Sequence, residues 1–378
     1  MVCISSPILL EILLFWNNDS YLKGLKALEK STSLVLFPIF IIGNYQRIDF
    51  LKITQIYYSI TTVVMLFFLI RFNLIYPELI SKYAGGIDLF EIGYKFSDSV
   101  GMHAPALNMH LAFVSVCALY FVFYSFMKNE KPILKMLRFV VFLLSFFFVL
   151  FVNTRIALIG AFIGFIVVLY FAVESKFNIK QIAITSVTIL VLMGGILFLF
   201  VQKNPYMKEK YSTVTFAYMD KVGKLDEIDH PEIKVFNSLV TRVSIWKSAW
   251  ELSLKNLPFG VGASNGKPAL NKYYAATNQH FLAKYEFPTH NQFLDFLLKF
   301  GILGPIVALL YMFTIAYLGY DLKNGIILSF FIIFFISNLT DDFLLRFDGI
   351  AFSGFWSSVF AGFWLQQKAI LYKDQGAG

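Results

Sequence analysis

The feature that most constrains this chain is the length of its uncharged apolar runs. From Phe139 to Val173 the only charged residue is Arg155, and Ala104 to Met127 holds no Asp, Glu, Lys or Arg at all. A bilayer core of about 30 Å asks for about 20 apolar residues in a helix. Lipid offers the backbone no other hydrogen-bond partner, so such runs are helical. Composition agrees: 15% of the residues are charged and 58% hydrophobic, whereas a soluble domain carries roughly 25% charge. The expected fold is all-α, a polytopic transmembrane helix bundle.

Ten apolar segments can be read, at 2–16, 33–46, 52–72, 104–127, 134–152, 156–173, 178–201, 302–320, 325–343 and 349–368. The first two are short for a bilayer. Basic residues cluster in MKNEKPILKMLR (127–138) and ESKFNIK (174–180), and short basic loops face the cytoplasm. The stretch 73–103, the turn at 153–155 and the long stretch 202–301 then face outward. Three regions follow: N-terminal transmembrane helices over 1–201, a large outer loop over 202–290 and C-terminal transmembrane helices over 291–378. Loops of such length are usually functional. Within this one, Leu239, Trp246, Trp250 and Leu254 recur at helical spacing, which suggests a helix lying at the membrane interface.

Several classes are excluded or left without support. Met1 leads into apolar sequence with no basic n-region or small-residue cleavage pattern, so no cleavable signal peptide is expected. Cys3 and Cys117 lie in apolar stretches and make neither a disulfide framework nor a zinc spacing. The net charge of +8 is mostly lysine, which suits anionic lipid surfaces or acidic substrates. No arginine-rich or aromatic-basic pattern for nucleic acid occurs.

Three constellations could carry chemistry. A single helix over the 35 residues from Phe139 to Val173 would be about 52 Å long, so the chain must turn near Asn153-Thr154-Arg155. Arg155 then stands at the outer mouth of two spans, either snorkelling to headgroup phosphate or offering its planar fork to phosphate oxygens. Arg242 precedes Trp246 by four residues, and Pro258, Gly260 and Gly262 follow in LPFGVG. It is either a surface arginine on an interfacial helix or a second phosphate contact. The third is PTHNQFLDFLLKFGILGP (288–305). Thr289-x-x-Gln292 reads as a capping box, which puts His290 and Asn291 in the first turn of a short helix. Lys299 and Gly301 make its stop signal, and Pro305 suits the first turn of the next span. There His290 is either a helix-start residue or a general base kept neutral by the helix dipole. His103 and His110, seven apart, have no carboxylate placed to join them in binding a metal. Asp341 and Asp342 either line a polar cavity or cap a span end.

Taken in order, these residues resemble the O-antigen ligase and O-antigen polymerase superfamily of bacterial membrane glycosyltransferases. His290, Asn291, the nine residues Gln292 to Phe300, then Gly301 and Gly304 fit the ligase pattern of His, Asn/Ser/Gln, nine residues and G-x-x-G. The Thr154-Arg155 turn, Arg242 to Trp246 and PFGVG are similar to the family's other elements and stand in its order. HAP at 103–105 departs from the family's His-Pro by the intervening Ala104. The resemblance covers residues 20–365, with its core at 135–345, and implies a further helix pair at the N-terminus.

The resemblance implies transfer of a glycan from undecaprenyl diphosphate to an acceptor hydroxyl at the periplasmic face of the inner membrane, inverting and without a metal or other cofactor. The acceptor is a lipid A-core sugar in a ligase and another lipid-linked repeat unit in a polymerase. His290, Arg155 and Arg242 would be catalytic, and Asn291, Trp246, Gly260, Gly262, Gly301 and Gly304 would bind substrate. A competing class is a non-enzymatic lipid-linked oligosaccharide transporter. Such a protein should carry charges in the middle of several spans and a repeat-like organisation, neither of which is visible in the sequence.

Overall fold

The protein is described by a computed structural model over residues 1–85, 89–173, 216–236 and 238–376, with isolated positions at 191, 194, 195 and 198. Among these residues every regular element is helical and no strand occurs. The chain begins with α1 (Val2–Leu13), α2 (Tyr21–Ser31) and α3 (Ser33–Phe37), the last continued by a π turn to Ile42. Then come α4 (Phe50–Ile75), α5 (Pro77–Ala84), α6 (Leu89–Val100), α7 (Ala104–Met127), α8 (Pro132–Val152) and α9 (Arg155–Val173). Within the 202–301 stretch lie α10 (Leu239–Lys255), α11 (Gly266–Ala276), α12 (His280–Tyr285) and α13 (Gln292–Phe300). The chain closes with α14 (Leu303–Asp321), α15 (Gly325–Asn338) and α16 (Phe347–Gly376).

Among the described residues four helices, α4, α7, α8 and α14, are long and apolar enough to cross a membrane. They match the segments read at 52–72, 104–127, 134–152 and 302–320. Shorter apolar helical stretches are Val2–Leu13, Ser33–Ile42, Arg155–Phe171 within α9, and Gly325–Asn338. The segment read as 325–343 ends its helix at Asn338, and 339–346 is a loop with one 3-10 turn. The expected span 178–201 lies largely outside the described residues, as do the basic stretch 174–180 and the start of the 202–290 region.

By contact the chain forms two compact units. One comprises 1–44, 212–314 and 338–359; the other comprises 45–211, 315–337 and 360–378.

The second unit is built on α7. That helix is apolar on all sides and buried along most of its length, which is the signature of a core helix rather than an amphipathic one. It packs against α8, α9 and α4. On α4 the buried residues Phe50, Thr54, Tyr58, Thr62, Met65 and Phe72 make one stripe, while Ile56, Ile60, Val63, Phe67, Ile70 and Leu74 are exposed. That is the pattern of a lipid-facing helix with one bundle face. On α9, a Cβ at Gly164 would stand 2.7 Å from Val116 Cγ2, and small residues of this kind let membrane helices approach closely.

The first unit is built differently. Val240, Ile245 and Ala249 of α10 pack with Leu270, Tyr274, Phe281, Leu282, Phe287 and Leu298 into one buried apolar cluster. The region expected as a large outer loop containing short helices thus carries a helical core of its own. Trp250 and Leu254 stay half exposed on the opposite side of α10.

Candidate active site

The short helix α13 begins two residues later than the capping-box pattern predicts. Asn291, with φ −162° and ψ 117°, is its N-cap, and Asn291 Oδ1 accepts from the N–H groups of Phe293 and Leu294, both at 3.0 Å. Thr289 does not cap the helix, because its hydroxyl donates to Asp342 Oδ2 at 3.0 Å. Gln292 does not turn back either; its Oε1 accepts from the Leu344 N–H at 2.7 Å. Both partners expected for the box are thus drawn to the 339–345 loop. His290 lies before the helix, at φ +46°. Non-glycine residues adopt that left-handed conformation rarely, and such outliers gather at functional sites.

That backbone turn is held from several sides. The His290 N–H donates to Asp342 Oδ2 at 3.3 Å, and its carbonyl accepts from Trp246 Nε1 at 3.3 Å. Its ring Nδ1 lies 3.4 Å from Asp341 Oδ1. Asp341 Oδ1 also accepts from the Asp342 N–H at 3.0 Å. The imidazole therefore turns Nδ1 toward a buried carboxylate. With the proton on Nδ1, Nε2 is the basic nitrogen.

Arg242 reaches the same loop from α10. Its Nη1 donates to the Thr340 carbonyl at 2.7 Å, and Asn291 Nδ2 donates to the Leu339 carbonyl at 3.0 Å. The consecutive residues 339–342 thus tie Asn291, Arg242 and His290 together. The i, i+4 spacing of Arg242 and Trp246 puts both on the face of α10 that meets this loop.

Asp341 and Asp342 are 4% and 1% exposed, so both are buried acids. Burial, then the neighbouring Asp341 charge, pushes the Asp342 carboxyl up to about 7, while His290 pulls it the other way. Asp342 Oδ1 is buried without a hydrogen-bond partner, which also favours the neutral acid. His290, Asp341 and Asp342 each offer a ligand atom within 4.8 Å of the others, close enough for one cation. Asp341 Oδ1 and Asp342 Oδ2, however, are already engaged by donors of the protein. His103 and His110 belong to no such group among the described residues.

The glycines expected to approach substrate face backbone here. A Cβ at Gly301, where φ is +60° and ψ −145°, would overlap the Pro258 carbonyl, and one at Gly304 would overlap the Phe296 carbonyl. Gly260, at φ +74°, would collide with Lys299 and Gly301, and Gly262, at φ +92°, with the Asn17 carbonyl. The last carbonyls of α13 use this proximity: Val261 N–H donates to Leu298 and Gly262 N–H to Lys299, both at 2.9 Å. Chain-to-chain packing thus already requires these positions to lack a Cβ.

Arg155 belongs to the second unit. The expected turn is there: Asn153 ends α8 in the left-handed conformation at φ 56°, and α9 starts at Arg155. Asn108 of α7 braces the turn, donating to Thr154 Oγ1 at 2.9 Å and the Val149 carbonyl at 3.3 Å.

Compared with known families, residues 140–309 match the family model described as O-antigen ligase. The match contains Arg155, Arg242 and the whole His290 to Gly304 pattern, and stops short of Asp341 and Asp342. No curated protein matches the chain.

Proposed function

We propose that the chain, whose residues 140–309 match the O-antigen ligase family, moves a glycan from undecaprenyl diphosphate to a hydroxyl of a lipid A-core sugar. In this reading the chain spans the inner membrane with ten segments, its site opens to the periplasm, and the reaction uses no metal. The observation that carries the proposal is the clamp on His290, whose Nδ1 faces buried Asp341 while Arg242 is fixed to the adjacent Thr340.

In the proposed reaction the residues divide the work as follows. His290 Nε2 takes the proton of the acceptor hydroxyl as its oxygen bonds to the anomeric carbon. The bond from that carbon to the diphosphate oxygen breaks on the opposite face, which inverts the centre. The proton ends on His290, beside the Asp341 carboxylate, and the electron pair leaves with the diphosphate. Arg242 spends one N–H on Thr340 and keeps the rest of its fork for diphosphate oxygens. Charge-assisted contacts of this kind stabilise the leaving group most as its charge develops.

Mass spectrometry of lipid A-core from a strain lacking the chain tests the reading. Core without polymer, with lipid-linked polymer accumulating, is the expected result. Core capped by a single repeat would make the chain a polymerase, and an unchanged glycan profile would overturn both.

A further inference from the structure

The segment linking α1 to α2 makes an unusual set of contacts for a surface turn. Asn17 Nδ2 donates to the Gly260 carbonyl at 2.9 Å and the Phe259 carbonyl at 3.2 Å. Asn18 Oδ1 accepts from both the N–H and the hydroxyl of Ser264, each at 2.9 Å. The Trp16 ring meets Phe259 edge-on at 5.4 Å. Gly262 carries no side chain where the Asn17 carbonyl lies against it. Three consecutive residues therefore grip 259–264, a loop some 240 positions away in sequence.

That loop in turn holds the far end of α13. Val261 and Gly262 donate to its last carbonyls, and the Ile302 N–H donates to the Pro258 carbonyl at 3.1 Å. Helix α13 has nine residues, about 13.5 Å at 1.5 Å per residue, and His290 precedes its cap directly. A rod so short passes a displacement at one end to the other.

We propose that Asn17 and Asn18 are positioning residues: with Trp16 they form a strap that fixes the 257–264 loop, and through it α13 and the ring of His290. This rests on the reading of His290 as the base. The strap touches neither donor nor acceptor. Its loss should therefore lower kcat and leave the KM for the lipid-linked donor and the pH profile in place.

The test uses the full purified chain in nanodiscs, lipid-linked donor extracted from the host bacterium, and lipid A-core from a strain lacking the chain. Asn18→Ala should lower kcat roughly five- to tenfold, the scale of one or two lost hydrogen bonds. Hydrogen exchange should quicken in peptides covering 257–264 and 291–301, and stay unchanged across 239–256. The pair Asn18→Cys/Ser264→Cys should be slow when reduced and regain wild-type kcat when oxidised, since a disulfide replaces the strap. Faster exchange confined to 15–24, or an oxidised pair no faster than the reduced one, would overturn the strap. His290→Ala is measured beside these variants. If it is active, the base assignment fails; if it is inactive while Asn18→Ala turns over at the wild-type rate, only the strap fails.

Discussion

Replacing Asp341 by Asn removes one charge while keeping the side chain's size and an oxygen that accepts. The amide oxygen can still accept from His290 Nδ1 and from the Asp342 N–H, so ring orientation is kept. What is lost is the attraction between the carboxylate and the imidazolium that forms as the acceptor gives up its proton. At 3.4 Å and an effective dielectric of about 20, that attraction is about 5 kcal/mol. The full amount will not be seen. Asp341 is itself a cause of the raised Asp342 pKa, second to burial, so Asp342 ionises more readily once position 341 is neutral and restores part of the negative charge. Asp341→Asn should therefore lose about 10- to 100-fold in kcat, and Asp341→Asn/Asp342→Asn about 10³-fold, more than the separate effects combined. Transfer by the purified variants, with KM for the lipid-linked donor measured alongside, reads this directly. Turnover within threefold of wild type in the double variant would refute the electrostatic role of the pair.

Three further outcomes concern stability in detergent. The folded chain holds the Asp342 proton more tightly than the unfolded chain, so its contribution is whole below the ordinary value of 3.8 and is lost as pH rises toward about 7; Asp342→Asn should gain on wild type by up to ~4 kcal/mol over that interval, and parallel melting curves at pH 4.5 and pH 8 would contradict it. Lys299 and Asp295 form a buried pair at 2.6 Å, so Lys299→Met should cost about 3–5 kcal/mol by stranding a charge, and Lys299→Met/Asp295→Asn should recover most of it, as read by Tm. Gly301→Ala should cost about 2–5 kcal/mol, from a backbone conformation reserved for glycine and from overlap with the Pro258 carbonyl. Thermal scans of that variant matching wild type would show that the 257–262 loop yields freely.

What could be read from the sequence was what local rules decide. Hydropathy alone located α4, α7, α8 and α14, and helix length forced the turn that Asn153 makes before Arg155. The Trp246/Trp250 spacing located α10. The end of α13 was legible too, since Gly301 is required by its positive φ. Its beginning was not: Thr289 and Gln292 satisfy a capping box locally, but Asp342 and the Leu344 N–H compete for them from some fifty residues away. The same separation hid Asp341 and Asp342, two acids at the edge of an apolar run with no pattern linking them to His290. The grip of Asn17 and Asn18 on the 259–264 loop lies further still beyond any periodicity.

The central claim is that His290 removes the acceptor proton. It is tested most directly by turnover of purified His290→Ala in nanodiscs with extracted lipid-linked donor and lipid A-core. The account predicts a loss of about 10²–10⁴-fold in kcat with donor binding retained. Turnover near the wild-type rate would contradict it.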